Sequence, residues 1–255
     1  MSTHVPLGLW FGGAAALVLV CGAVTIVLWR VASGQARSRL LGALAAWLGL
    51  AILLGALGVF ATTYQRPVPV IAVGIVLPIV VGVLLLRRPG SVIRLLHSIS
   101  PRALIGVQFY RVAGVIFVIA WAAGRMPAIF ALPAGVGDVL VGLAAPLVAA
   151  RVGDGTARSR RIAVGWNIAG IADLVLAVAL GAATSPTSLW PTLLGHPNPL
   201  ISRLPLVLIP VFAVPLSVLV HLIALRRLAA PVWEHERPPV DAESRARPMR
   251  TPAVR

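Results

Sequence analysis

The segment 127–150 reads PAIFALPAGVGDVLVGLAAPLVAA, and its one charge, Asp138, sits near the middle within LPAGVGDVLVG. About 20 apolar residues of helix cross a bilayer core of roughly 30 Å, so this run predicts a membrane-crossing helix. A central aspartate costs such a helix about 2.5–3.5 kcal/mol on the insertion scale. Asp138 therefore needs a partner or a task.

Similar runs fill the chain. Of its 255 residues 59% are hydrophobic and 11% charged, too little charge to cover a soluble domain of this length. The expected fold is all-α, a polytopic bundle of seven transmembrane helices in one domain over residues 1–230. The spans are placed at 8–29, 40–62, 68–86, 103–124, 127–150, 162–183 and 204–225. Residues 231–255, polar and proline-rich, are expected to form a disordered cytoplasmic tail. The segment 91–100, SVIRLLHSIS, has the pattern of a short amphipathic surface helix. The loop 184–203, with Trp190 and several prolines, is the longest external connection and reads either as an interfacial cap or as an ordinary loop.

The net charge of +15 comes from 22 basic residues, all arginine. They alternate along the chain. Arg30, Arg37 and Arg39 fall between the first two spans, and Arg87, Arg88, Arg94 and Arg102 between the third and fourth. Arg151, Arg158, Arg160 and Arg161 fall between the fifth and sixth, and seven more follow the seventh. The other connections hold Arg66, Arg125 and Arg203, one each. Basic residues stay in the cytoplasm, so the N-terminus is expected outside and the C-terminus inside a multi-pass cell-membrane protein. The first span has no basic segment before it and Arg30 directly after it, the opposite of a cleaved signal peptide. The expected partner is the bilayer, and not nucleic acid. Without lysine, Schiff-base and P-loop chemistry are excluded. The single cysteine, Cys21, excludes an intrachain disulfide. Trp10, Trp29, Trp121 and Trp166 fall near span ends, as an interfacial belt would.

The polar residues inside the spans are few. The fourth holds Gln108 and Arg111, the fifth Asp138, the sixth Asn167 and Asp173, and the seventh Ser217 and His221. At 1.5 Å per residue, Arg111 lies about 12 Å from the inner end of its span, Asp138 about 18 Å and Asp173 about 17 Å. A guanidinium can fork between two carboxylates, so Arg111 is expected to bridge Asp138 and Asp173. One cation between two anions leaves net charge −1, which favours a proton or a cation. Gln108 and Asn167 would add hydrogen bonds, with Ser217 and His221 as secondary candidates. His221 lies near the inner end of its span, where bonding to a carbonyl or to the interface is expected. Its one inner-side partner would be His97, in a connection, so no haem or metal site is expected. No cofactor can be named.

The two aspartates share a context: AGVGDVLV at 134–141 matches AGIADLVL at 169–176, in spans that run in opposite directions. Small residues flank each, namely Ala131, Gly135, Gly142 and Ala145 in one span and Ala169, Gly170, Ala177 and Gly181 in the other. Small stripes let helices approach closely, and antiparallel copies of one motif have the form of a transporter's inverted repeat. GVGD also resembles the G-x-G-D motif of intramembrane aspartyl proteases. That resemblance implies Asp138 as the motif aspartate, Asp173 as its partner and a water between them. The order departs from the family, in which the motif aspartate is the second of the pair, and no proline-alanine-leucine tripeptide follows. Arg111 also works against the shared proton that such a dyad needs.

The leading expectation leans away from an enzyme, with a G-x-G-D-type intramembrane aspartyl protease as the lesser alternative. It is the binding or translocation of a small solute, proton or cation at Arg111, Asp138 and Asp173. The rival expectation is a non-catalytic assembly or sensory subunit whose polar triad only fixes the bundle.

Overall fold

The computed structural model describes residues 5–31, 34–61, 70–87, 90, 94–96, 99–186 and 197–229. Among them there is no strand, and the chain is all-α. We number the helices α1 (Leu7–Val31), α2 (Gly34–Ala56), α3 (Val70–Leu85), α4 (Pro101–Ala122), α5 (Ala128–Val152), α6 (Ala157–Ala183) and α7 (Ile209–Ala229). Six are long and apolar enough to cross a membrane, by length and composition. The exception is α3, whose 16 residues span about 24 Å. The segments 187–196 and 230–255, with Trp190 and the tail, lie outside the described residues, as do His97 and half of the 91–100 segment.

Local chemistry sets the helix ends and moves several away from the expected spans. α2 runs from Gly34 to Ala56 rather than from 40 to 62. It stops because Gly58 takes φ +69°, with Val59 N–H donating to Leu54 O and Gly58 N–H to Gly55 O. This six-to-one and five-to-two pairing closes a helix and favours glycine at its left-handed position. Gly124, at φ +66°, closes α4 in the same way through Arg125 N–H to Ala120 O. α6 starts at Ala157, because the Thr156 hydroxyl accepts the Ser159 N–H at 3.1 Å. Arg37, Arg39, Arg158, Arg160 and Arg161 accordingly lie on helices and not in connections.

α5 is the central element, packed on α4 and α6. Its inner stripe, with Ala131, Gly135, Gly142 and Ala145, is buried. Its outer stripe is Val136, Leu140, Leu143 and Leu147, all exposed and spaced as one helical face. An exposed stripe as apolar as the buried one suits hydrocarbon and not water. On the inner side α5 nearly touches α4. A Cβ at Gly142 would stand 2.7 Å from Val112 N, and one at Gly135 would stand 3.0 Å from Gly114 O. Backbone meets backbone there, so only glycine fits.

Two helices are irregular at similar places. Gln108–Gly114 in α4 forms a 3₁₀ helix of 7 residues, where runs beyond three or four are uncommon. α7 opens with a π segment, Ile209–Ala213, in which Val214 N–H reaches Ile209 O. Pro210 and Pro215 have no N–H to give to a regular ladder, so the ordinary pattern resumes late. α7 starts at Ile209 rather than at 204, because residues 204–207 form turns.

Candidate functional site

The 3₁₀ segment of α4 carries Arg111, whose side chain is 2% exposed. Its Nε donates to Asp138 Oδ1 at 2.8 Å, and Nη2 stands 2.7 Å from the same oxygen. Nη2 also pairs with Asp173 Oδ2. Nη1 donates to Gly170 O at 3.2 Å and lies 3.2 Å from His221 Nε2. A guanidinium has five N–H donors; four hydrogen bonds and the close ionic approach of Nη2 to Asp138 Oδ1 surround this one. All three of its nitrogens face protein acceptors. The carboxylates are not saturated: Asp138 Oδ2 and Asp173 Oδ1 accept no hydrogen bond among the described residues. Their side chains keep 15% and 14% exposure.

His221 is fully buried rather than reaching for the interface, and the carbonyl its ring bonds is the side-chain one of Asn167. The reason is the ring's second neighbour. Asn167 Nδ2 donates to Ala163 O at 2.8 Å, which turns its Oδ1 toward His221 Nδ1 at 2.9 Å. A carbonyl can only accept, so Nδ1 carries the proton and Nε2 offers its lone pair to Arg111. The chain of bonds thus runs in one direction, from the guanidinium back to a fixed backbone carbonyl. Trp166, expected in the interfacial belt, instead sets its ring 5.2 Å from the imidazole, with Nε1 buried. Trp10, Trp29 and Trp121 are exposed as a belt would have them.

Gln108 and Ser217 form a neighbouring cluster. Gln108 Nε2 donates to Ser217 O at 3.1 Å, while Gln108 Oε1 is buried and has no partner among the described residues. The Ser217 hydroxyl donates to Ala213 O, so the Tyr110 hydroxyl, 2.7 Å away, donates to Ser217 Oγ. Among the described residues the Gln108 side chain makes no hydrogen bond to the triad. A small cavity of about 40 Å³ separates this cluster from Asp138, with Gly13, Tyr110, Arg111, Gly114, Asp138 and Ser217 on its wall. Asp138 Oδ2 lies over Gly114, where a Cβ would come within 2.7 Å of it. Both irregular segments border the cavity, through Tyr110 and Gly114 on one side and Ile209 and Ala213 on the other.

The structure thus brings Arg111, Asp138, Asp173, Asn167 and His221 into one network and sets Gln108 and Ser217 beside it. The small stripe of α6 differs from the expectation. Its buried line is Ala163, Asn167, Gly170 and Leu174, at alternating spacings of four and three. Ala169 is one residue off that line and exposed, while Ala177 and Gly181 are half-buried. Sequence reasoning missed Tyr110 and the carbonyl of Gly170. Regular α periodicity turns Tyr110 away from Gln108 and Arg111, and a 3₁₀ stretch leaves no pattern in this sequence to reveal it.

Residues 68–229 match the family described as Domain of unknown function (DUF8737), and the chain belongs to that family. No curated protein and no solved structure matches it.

Proposed function

We propose that this family member is a seven-span protein of the cell membrane that binds or translocates a small positively charged species, a proton or a cation, at Arg111, Asp138 and Asp173. The carrying observation is the surplus carboxylate. One guanidinium serves two aspartates, and Asp138, its Oδ2 beside Gly114, lines a cavity together with that glycine. Net charge −1 in a medium of low dielectric attracts a cation strongly. The two irregular segments support the same reading, since non-helical backbone at membrane depth is tolerated where it lines a cavity or is buried in protein.

The span count takes α3 as a seventh crossing, because Val70–Leu85 is uncharged and apolar throughout. An odd count agrees with the alternation of arginines and leaves the N-terminus outside. The test is reconstitution in lipid vesicles with imposed proton, sodium or potassium gradients. Wild type should bind or move one of these ions, and Asp138→Asn should not, while melting at a similar temperature. Equal ion responses in wild type, Asp138→Asn and Asp173→Asn would sink the proposal.

A further inference from the structure

We infer that the species taken up is a proton, held on Oδ2 of Asp138, a residue on the cavity wall; this rests on the reading that the site takes a positive charge. The alternatives fail on size, charge or ligand number. At ~10–15 Å³ of such space for each water, a cavity of about 40 Å³ holds roughly three or four waters and no organic solute. An anion would meet two carboxylates around one guanidinium whose three nitrogens already face protein acceptors.

A metal cation lacks ligands. Hard cations take about six or more oxygens when stripped of water, and the side chains on this wall offer three: Asp138 Oδ2, Tyr110 Oη and Ser217 Oγ. The two hydroxyls are bonded to each other, and Ser217 also to Ala213 O. The carbonyl of Ile209 is used by Val214 N–H. The rest of the wall is largely aliphatic, with Ala16, Leu17, Val20 and Leu174. A proton needs one oxygen. A hydronium ion in the cavity gives its proton to Oδ2 and leaves as water, forming one O–H bond for the one broken and bringing the cluster to zero net charge.

The charged and titratable groups facing Asp138 are Arg111 and Tyr110 from α4 and Asp173 from α6, with His221 of α7 behind the guanidinium. The arginines of these helices other than Arg111 sit near helix ends: Arg102, Arg151, Arg158, Arg160, Arg161, Arg226 and Arg227. Neutralising Asp138 leaves Arg111 paired with Asp173 and still held by Gly170 O and His221 Nε2. The site can therefore take one proton without losing its frame.

Infrared difference spectra across pH steps, on the full chain in neutral-lipid vesicles, test this. Expected is a carboxylic C=O band that shifts in D₂O, is missing from Asp138→Asn, and has the same midpoint in sodium, potassium or N-methylglucamine chloride. A cation competing one-for-one would move that midpoint by about one pH unit for each tenfold rise in concentration. Such a shift with sodium or potassium would overturn the proton inference and leave the proposed function standing. Silence toward protons together with silence in sodium and potassium calorimetry would remove both. The cation arms use wild-type protein, so they decide the matter even if Asp138→Asn does not fold.

Discussion

Arg111 Nη1 and His221 Nε2 stand 3.2 Å apart, and only an imidazole that accepts can occupy that position beside a guanidinium. Asn167 enforces the same tautomer from the other side, through Oδ1 at 2.9 Å from Nδ1. A histidine bearing protons on both nitrogens would set two donors and two cations face to face. His221 is therefore a positioning residue, and Arg111 is gripped from behind as well as by its carboxylates.

The tautomer is directly measurable. Solid-state NMR of histidine-labelled protein should show His221 with Nδ1 protonated and Nε2 bare. His221→Gln identifies the signal among the five histidines. The opposite tautomer would mean that Asn167 presents its NH₂ group, and the directed chain of bonds would be wrong.

Arg111→Ala leaves two carboxylates together without their cation. Breaking a buried pair on one side costs about 3 kcal/mol or more. Arg111→Ala combined with Asp138→Asn should be more stable than Arg111→Ala alone, because the stranded charge is removed with its partner. Unfolding of the single and double variants in detergent checks this. Simple additivity would mean that the groups do not interact.

Two glycines of α6 make a contrast on one helix. A Cβ at Gly170 would stand 2.6 Å from His221 Nε2 and 3.2 Å from Arg111 Nη1, whereas one at Gly165 meets nothing within 4 Å. The imidazole cannot yield, being fully buried between Asn167, Trp166 and Arg111. Gly170→Ala should destabilise by about 1–3 kcal/mol through overpacking, and Gly165→Ala should be neutral or gain up to ~1 kcal/mol of helix propensity. Equal melting temperatures for the two variants would contradict the packing.

The proposed orientation has its own readout. A reporter joined after Arg255 should report cytoplasm, and one joined before Gly8 should report the outside. An N-terminal reporter found in the cytoplasm would remove the seven-span count and the inner-side assignment of the arginine-rich ends.

Hydrophobicity and length act over a whole helix and are summed along the chain. For that reason the helical class, the positions of the apolar helices and the cost of Arg111, Asp138 and Asp173 could be read from the sequence alone. Their meeting was legible too, because the fixed rise of a helix converts residue number into depth, and unpaired charges at one depth attract. Side-chain direction was not legible. It depends on the local winding, and the 3₁₀ turn at Gln108–Gly114 and the π turn at Ile209–Ala213 break the periodicity from which faces are inferred. Only the tertiary structure could therefore set His221 behind Arg111, turn Gln108 to Ser217 and put the cavity at Asp138. Each of those depends on how two irregular helices pack against α5, and on the glycines Gly135 and Gly142 that let backbone meet backbone.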